Sequence, residues 1–366
     1  MSEFFNIFEI DDDVEIYYFY YWPLQYDHLG SSYKQLSEIN YESKVIFWVA
    51  MDSVIDRKTY NFYEDSSLIS IQKFEEICKK NPNCLFILLS PQHGLNEFIS
   101  VKNLFAAPSI NCKLTDRYLK CNNKTFKSNH KKWISFNRRP EPHRSALLSY
   151  LCSKNLNCYG SLFFDSKVFQ YRSMSFLNFF RFSPDQKKQI SNGFCKISIG
   201  KSQGTKSGVY DKNPAVNYNK NLLHVYETSA LEIISGSLFF EPTPFFSEKE
   251  IQSIYGKVFP IFINTYNAVS TWKTHYGIDV FEDIIDHSYD SIKDPTERLV
   301  SAIDVNLHLL DGSVSLEDLW LKNKERFDKN CDQMDKILYD TRTQQEIDAN
   351  EIKKALDYYD IYYKLI

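Results

Sequence analysis

The stretch Ile134-Ser135-Phe136-Asn137-Arg138-Arg139-Pro140-Glu141-Pro142-His143-Arg144 holds the densest potential chemistry in the chain. Three arginines and a histidine fall between an apolar run that reads as a strand and a helix opened by Pro142. A helix N-terminus presents unpaired backbone N–H groups and the positive end of the helix dipole, so it favours anions. Guanidinium adds a planar, bidentate geometry that fits phosphate oxygens. Arg138, Arg139 and Arg144 are therefore candidate ligands of a diphosphate, with Asn137 beside them at the end of the strand. The competing reading is a basic loop paired with surface acids, and this segment alone leaves both open.

A second strand-to-helix junction is Phe246-Ser247-Glu248-Lys249. Ser247 suits an N-cap, Glu248 can accept hydrogen bonds from ribose hydroxyls, and Lys249 can set a point charge toward phosphate. Alone, the same residues are simply a good helix start. Upstream, Tyr226-Glu227-Thr228-Ser229 reads as the end of a buried strand, which puts the Glu227 carboxylate at the ligand-binding edge if the sheet is parallel. In the first half, Ser90-Pro91-Gln92-His93-Gly94-Leu95-Asn96-Glu97 follows a buried strand and offers His93 and Glu97 at the corresponding edge.

Such residues need parallel strands to carry them. The expected strands are residues 14–21, 45–50, 84–89, 133–136, 157–159, 222–226, 237–240 and 258–263, from their short apolar runs. Helices are expected over 71–79, 142–151, 247–256, 294–308, 315–327 and 331–364. The polar stretch 105–131 reads as a linker. Strand-helix-strand alternation on both sides of it implies an α/β chain with parallel sheets and right-handed crossovers. The boundaries drawn this way are 1–128, 129–312 and a set of C-terminal helices over 313–366. Asp11 and Asp13 have the spacing of a metal-chelating Asp-x-Asp, but they precede their strand, which favours a solvated turn. The acidic run Asp279 to Asp290 carries Val280, Phe281, Ile284 and Ile285 at helical spacing, which favours an amphipathic helix over a metal site. Trp133, Trp272 and Trp320 are read as core residues.

Composition narrows the function classes. A chain of 366 residues, 43% hydrophobic and 25% charged, is globular and long enough for two domains. A net charge of -4 and a pI near 6.1 argue against sequence-independent nucleic-acid binding, which needs many cations to displace counterions. Eight cysteines without a Cys-x-x-Cys pair point to reduced thiols in the cytoplasm rather than to zinc or a disulfide framework. No run of 18 apolar residues and no basic, then apolar leader occur, so neither a membrane span nor a signal peptide is expected.

Taken in order, Asn137 to Arg144, Tyr159-Gly160, Glu227-Thr228-Ser229, and Glu248-Lys249 ahead of Gly256 and Pro260 resemble the donor domain of the alpha-1,3-fucosyltransferase-like family. In that family an arginine-containing strand-helix turn is followed by Tyr-Gly, a Phe-Glu-Asn-Ser segment, a Thr-Glu-Lys helix start and a Gly-x-x-Pro strand. The resemblance covers residues 137–260 and does not reach residues 1–120. It implies a GT-B fold: two Rossmann-like domains facing a central cleft, with C-terminal helices. It also implies a nucleotide-sugar donor, GDP-linked by preference, and transfer of a hexose such as fucose with inversion and no obligatory metal. By the same resemblance Arg144 or Arg139 contacts the diphosphate, Lys249 the phosphate and Glu248 the ribose. Glu227 then faces the sugar, and Tyr159 belongs to the donor pocket. Thr228 stands where the family has Asn, Ser247 where it has Thr, and the spacing from Glu227 to Glu248 is longer. The sugar pocket therefore differs from the family's, and the pattern lies closer to its divergent viral and bacterial members.

Inversion requires a general base to take the acceptor hydroxyl's proton, and in a GT-B fold it comes from the N-terminal lobe. His93 and Glu97 are the candidates, with Glu64 and Asp65 behind them. The acceptor, a glycan or another hydroxyl compound, is not encoded in any motif. Two alternatives stay open: a non-catalytic GT-B-fold binding or structural protein, and a metal-dependent phosphate-ester enzyme.

Overall fold

In the computed structural model, the described residues are 8–10, 15–21, 44–50, 72, 75–82, 84–90, 93–108, 120–126, 132–137, 141–164, 175–196, 223–236, 239–241, 243–339, 353, 357 and 363–365. The chain divides into two compact units. Residues 1–111, 241–245 and 335–366 form the first, and 112–240 with 246–334 the second. Residues 112–128 and 313–334 thus go with the second unit, unlike the boundaries read from the sequence. Their apolar side chains explain the difference, since Cys121, Trp320 and Phe327 are buried against that unit's strands and helices.

The first unit contains β1 (Phe8–Ile10), β2 (Glu15–Tyr21), β3 (Lys44–Ala50), β4 (Cys84–Ser90) and β5 (Leu104–Pro108). The last four form a parallel sheet in the order β2-β3-β4-β5. Lys-Val-Ile-Phe-Trp-Val-Ala and Cys-Leu-Phe-Ile-Leu-Leu-Ser lack polar alternation, as strands covered on both faces do. Residues 105–108, the start of the expected linker, belong to strand β5, because Leu-Phe-Ala-Ala supplies the apolar edge that β4 pairs with.

The second unit contains β6 (Trp133–Asn137), β7 (Gly160–Phe164), β8 (Leu231–Ser235) and β9 (Phe259–Ile263), all parallel, in the order β7-β6-β8-β9. Its helices are α1 (Pro142–Ser153), α2 (Pro184–Lys196), α3 (Glu248–Tyr255), α4 (Ala268–Tyr276), α5 (Pro295–Asp304), α6 (Leu316–Lys322) and α7 (Lys324–Tyr339). Both four-stranded sheets are parallel, and the fold is α/β. The last strand, β10 (Tyr363–Leu365), pairs antiparallel with β1 in the first unit, so the helix expected over 331–364 does not persist to its end. None of the described helices is long and apolar enough to cross a membrane.

Four expected elements shift. Residues 223–226 form a helical turn instead of a strand, because Ser229 and Thr228 donate side-chain hydrogen bonds to the Val225 carbonyl and Lys124 takes the Tyr226 and Ser229 carbonyls. The strand follows at Leu231–Ser235, and of the strand expected over 237–240 the described residues 239–240 are a turn. Leu156–Cys158 is a 3-10 turn, and the strand begins at Gly160. The acidic segment 279–287 is irregular, not helical. Phe281 adopts φ 60°, and Arg326 holds both Asp279 and Asp283, at 2.6 and 2.9 Å. Asp11 and Asp13 lie outside the described residues.

Trp133, Trp272 and Trp320 are core residues, as their apolar neighbours require. Trp133 pairs with Gly160 across β6 and β7, and its indole donates to the Leu310 carbonyl at 2.9 Å. A Cβ at Gly160 would lie 2.0 Å from that ring. We therefore expect Gly160→Ala to lower stability by about 1–3 kcal/mol through overpacking, read as a lower urea midpoint with an unchanged slope. An unchanged midpoint would mean that the glycine is there for a reason other than the indole.

Candidate functional site

The second sheet has a switch point. From β6 the chain forms α1 and the outer strand β7, then returns to the other side of β6 to lay down β8 and β9. Ligands of open α/β sheets bind outside the C-terminal strand ends at such a reversal. The backbone pairing opens there as well. β6 and β7 pair from Trp133↔Gly160 to Asn137↔Phe164, whereas β6 and β8 pair only at Trp133↔Leu231 and Ile134↔Glu232. Beyond them a side chain takes over: the Ser135 hydroxyl donates to the Ile233 carbonyl at 2.9 Å, and Asn137 Nδ2 donates to Ser135 Oγ at 2.9 Å. Side chains thus take over from the backbone ladder at the switch point, where an open α/β sheet places its crevice.

Gly236, just past β8, forms one wall. Its carbonyl accepts from His143 Nε2 at 2.9 Å and from Arg144 Nη2 at 3.3 Å, both in the first turn of α1. A Cβ here would lie 2.6 Å from the Asn264 side chain, so the close approach requires glycine. His143 stacks on Phe239, with ring centres 5.1 Å apart. Burial holds its pKa well below the ordinary value and the adjacent Arg144 charge lowers it further, so it donates as a neutral imidazole and adds no charge.

The second wall comes from the start of α3. Ser247 caps that helix, and Glu250 answers it: Glu250 Oε2 accepts from the Ser247 backbone N–H and hydroxyl, both at 2.8 Å. Asn264 Nδ2, just past β9, donates to Glu250 Oε1 at 2.9 Å, which fixes the first turn of α3 at the same sheet edge. The Ser-x-x-Glu spacing of a capping box signals Glu250 in the sequence, and the reading centred on Glu248 and Lys249 passed over it.

The predicted site residues separate into groups. Asn137 and Arg144, buried, and Lys249, half-buried, gather around the crevice. Glu248 opens α3 at the same edge. The positive charge of Lys249 is felt by His143, Glu232 and Glu250. Arg138 and Arg139 lie outside the described residues, as do Glu64 and Asp65. Tyr159 and Glu227 sit at the opposite edge, which corrects their assignment to the donor pocket. Tyr159 precedes β7, is 48% exposed, and accepts from the Lys132 N–H just before β6. The Glu227 carbonyl accepts from the Thr125 N–H ahead of β8. A five-residue strand spans about 13 Å, so neither touches the group that Asn137 touches. His93 and Glu97 belong to the first unit, beyond the C-terminal end of β4. His93 is buried, with its backbone N–H on the Pro244 carbonyl, and Glu97 is exposed. The residues missed by sequence reading are Ser135, Ser235, Gly236, Glu250 and Asn264. Among the described residues no three His, Cys, Asp or Glu side chains are grouped as a metal would need.

Burial raises the Glu232 carboxyl from 4.5 to about 8, opposed chiefly by the hydrogen bond that Tyr226 Oη donates to it at 3.0 Å. A raised carboxyl pKa contributes stability that is complete below the unfolded value and is lost as pH rises through the folded one. Melting temperature is thus expected to fall between pH 5 and 8, and Glu232→Gln to remove much of that fall and to exceed the wild type at pH 8. Parallel melting curves of the two proteins across this range would exclude a costly ionisation at Glu232.

The chain matches no protein-family model, no curated protein and no solved structure.

Proposed function

We propose that the protein is a glycosyltransferase whose second unit binds a nucleoside-diphosphate sugar, GDP-linked by preference, in the β6/β8 crevice. The hexose, fucose or another, passes to a hydroxyl of a glycan or other acceptor with inversion. One observation carries this reading. Two helix N-termini, α1 and α3, face one edge of a parallel sheet at its switch point, with Arg144 and Lys249 in their first turns. Two helix dipoles and two cations favour a polyanion there.

In the reaction the acceptor oxygen attacks the anomeric carbon from the face opposite the diphosphate, and the bond from that carbon to the phosphate oxygen breaks. The negative charge leaves on the nucleoside diphosphate, where Lys249 and the helix N-termini stabilise it, with Arg144 adding its charge from within the wall. The acceptor's proton goes to a general base; of the two candidates read from the sequence, Glu97 is exposed and His93 is buried. No metal is required in this scheme.

A second reading, a binding protein without turnover, is favoured by the position of Glu227, which leaves the crevice without the carboxylate expected to face the sugar. The two readings part on experiment. GDP or another nucleoside diphosphate at 100-fold excess over Kd is expected to stabilise the protein by about 2.7 kcal/mol, seen as a rise in Tm. Lys249→Ala should weaken that binding about tenfold, the equivalent of 1.4 kcal/mol, measured by titration on the folded variant. Release of nucleoside diphosphate in the presence of acceptor and chelator identifies the transferase. Binding without release selects the binding protein, and release that chelator abolishes selects the metal-dependent phosphate-ester enzyme. The absence of a Tm shift with GDP, UDP, ADP and CMP removes the donor site.

A further inference from the structure

The inner face of the crevice carries polar atoms that the protein does not use. Trp133, Ser135 and Asn137 alternate onto one face of β6, and Leu231, Ile233 and Ser235 onto one face of β8. Trp133, Leu231 and Ile233 share a single core cluster with α1, so these are the same side of the sheet, the side on which α1 begins. Asn137 and Ser235 close their strands on that side and are each 1% exposed. Among the described residues, Asn137 Oδ1 and Ser235 Oγ have no hydrogen-bond partner. Buried polar groups in folded proteins are nearly always paired, so two orphans side by side at a switch point indicate a ligand.

The hydrogen-bond relay restricts that ligand's chemistry. Asn137 Nδ2 is committed to Ser135 Oγ, whose own proton goes to the Ile233 carbonyl. Nδ2 keeps a second N–H, but the amide oxygen is the atom left wholly without a partner, an acceptor that only a donor can satisfy. A hydroxyl fits it by giving its proton to Oδ1, whereas an ionised phosphate oxygen has no proton to give. We propose that Asn137 Oδ1, with Ser235 Oγ beside it, receives a hydroxyl of the bound ligand, so that the crevice selects a hydroxyl-bearing phosphoester over phosphate or pyrophosphate. This rests on the donor-site reading and divides the site in two: anion at the helix N-termini and Lys249, hydroxyl at Asn137. The hydroxyl belongs either to the ribose or to the transferred hexose.

Calorimetric titration of wild type, Asn137→Ala and Ser235→Ala with pyrophosphate, GDP and GDP-fucose tests the division. Asn137→Ala is expected to lose about tenfold in affinity for a hydroxyl-bearing ligand while its pyrophosphate affinity stays within about twofold. Loss with both nucleotides identifies the ribose, and loss with GDP-fucose alone the hexose. Ser235→Ala should lose about threefold in the same pattern, and it decides the matter if Asn137→Ala melts far below the wild type, since it removes an oxygen that no described residue depends on. Equal losses for pyrophosphate and nucleotides, or full affinity in both folded variants, would overturn the assignment of Asn137 and leave the anion site standing. A wild type that binds none of the three overturns the donor-site reading, and the hydroxyl subsite with it.

Discussion

The second unit depends on where the β6/β8 ladder stops. Two residue pairs hold these strands together at their N-terminal ends, and from Ser135 onward a side-chain relay replaces the backbone. Because the ladder stops, Ser135 and Asn137 spend side-chain groups on holding the strand ends, while the strands stay registered by their first residues.

The opposite edge is closed by one buried cation. Lys124 Nζ donates to the carbonyls of Tyr226, Ser229 and Gly256 at 2.6, 2.7 and 2.7 Å, joining the approach to β8 with the end of α3. Burial pushes its pKa down to about 7. Three carbonyl partners nevertheless need three N–H groups, which the ammonium has and the neutral amine lacks, so the hydrogen bonds favour the charged form. Its donors are consumed by the backbone, so this charge serves the fold and not a ligand. The cation nearest the crevice that keeps partial exposure is Lys249, which is why a sheet with two lysines near β8 has one polarity: clamped at one edge, anion-seeking at the other.

Much of the scaffold was legible because its signals are local. Strands Cys84–Ser90, Trp133–Asn137 and Phe259–Ile263 are continuous apolar runs, and the helices at Pro142 and Ser247 begin with a Pro at the first position and a Ser cap. Residues 222–226 have the same apolar look, yet 223–226 are drawn into a helical turn in part by Lys124, about a hundred residues earlier, and no window-based pattern contains that contact. Displacing this strand into Leu231–Ser235 moved Glu227 from the ligand edge to the far one. The late start of β7 moved Tyr159 in the same way. Asn137, Arg144 and Lys249 were legible because each follows a strand and opens or precedes a helix, which fixes the edge whatever the exact boundary. Ser235 was not, since its role arises from a pairing between segments 98 residues apart.

Arg144 is the residue on which the donor-site reading and the packing pull hardest against each other, being 2% exposed yet assigned to an anion. The Gly236 carbonyl resolves this. It holds two donors, His143 Nε2 at 2.9 Å and Arg144 Nη2 at 3.3 Å, and the shorter bond comes from the neutral ring stacked on Phe239. A carbonyl left with His143 alone is still satisfied. His143 fills that role without adding charge, since burial beside Arg144 keeps the ring neutral. The pair therefore works as a brace and a reserve cation: the imidazole keeps the end of β8 in place, and the guanidinium adds positive charge behind the α1 N-terminus whether or not it leaves the wall.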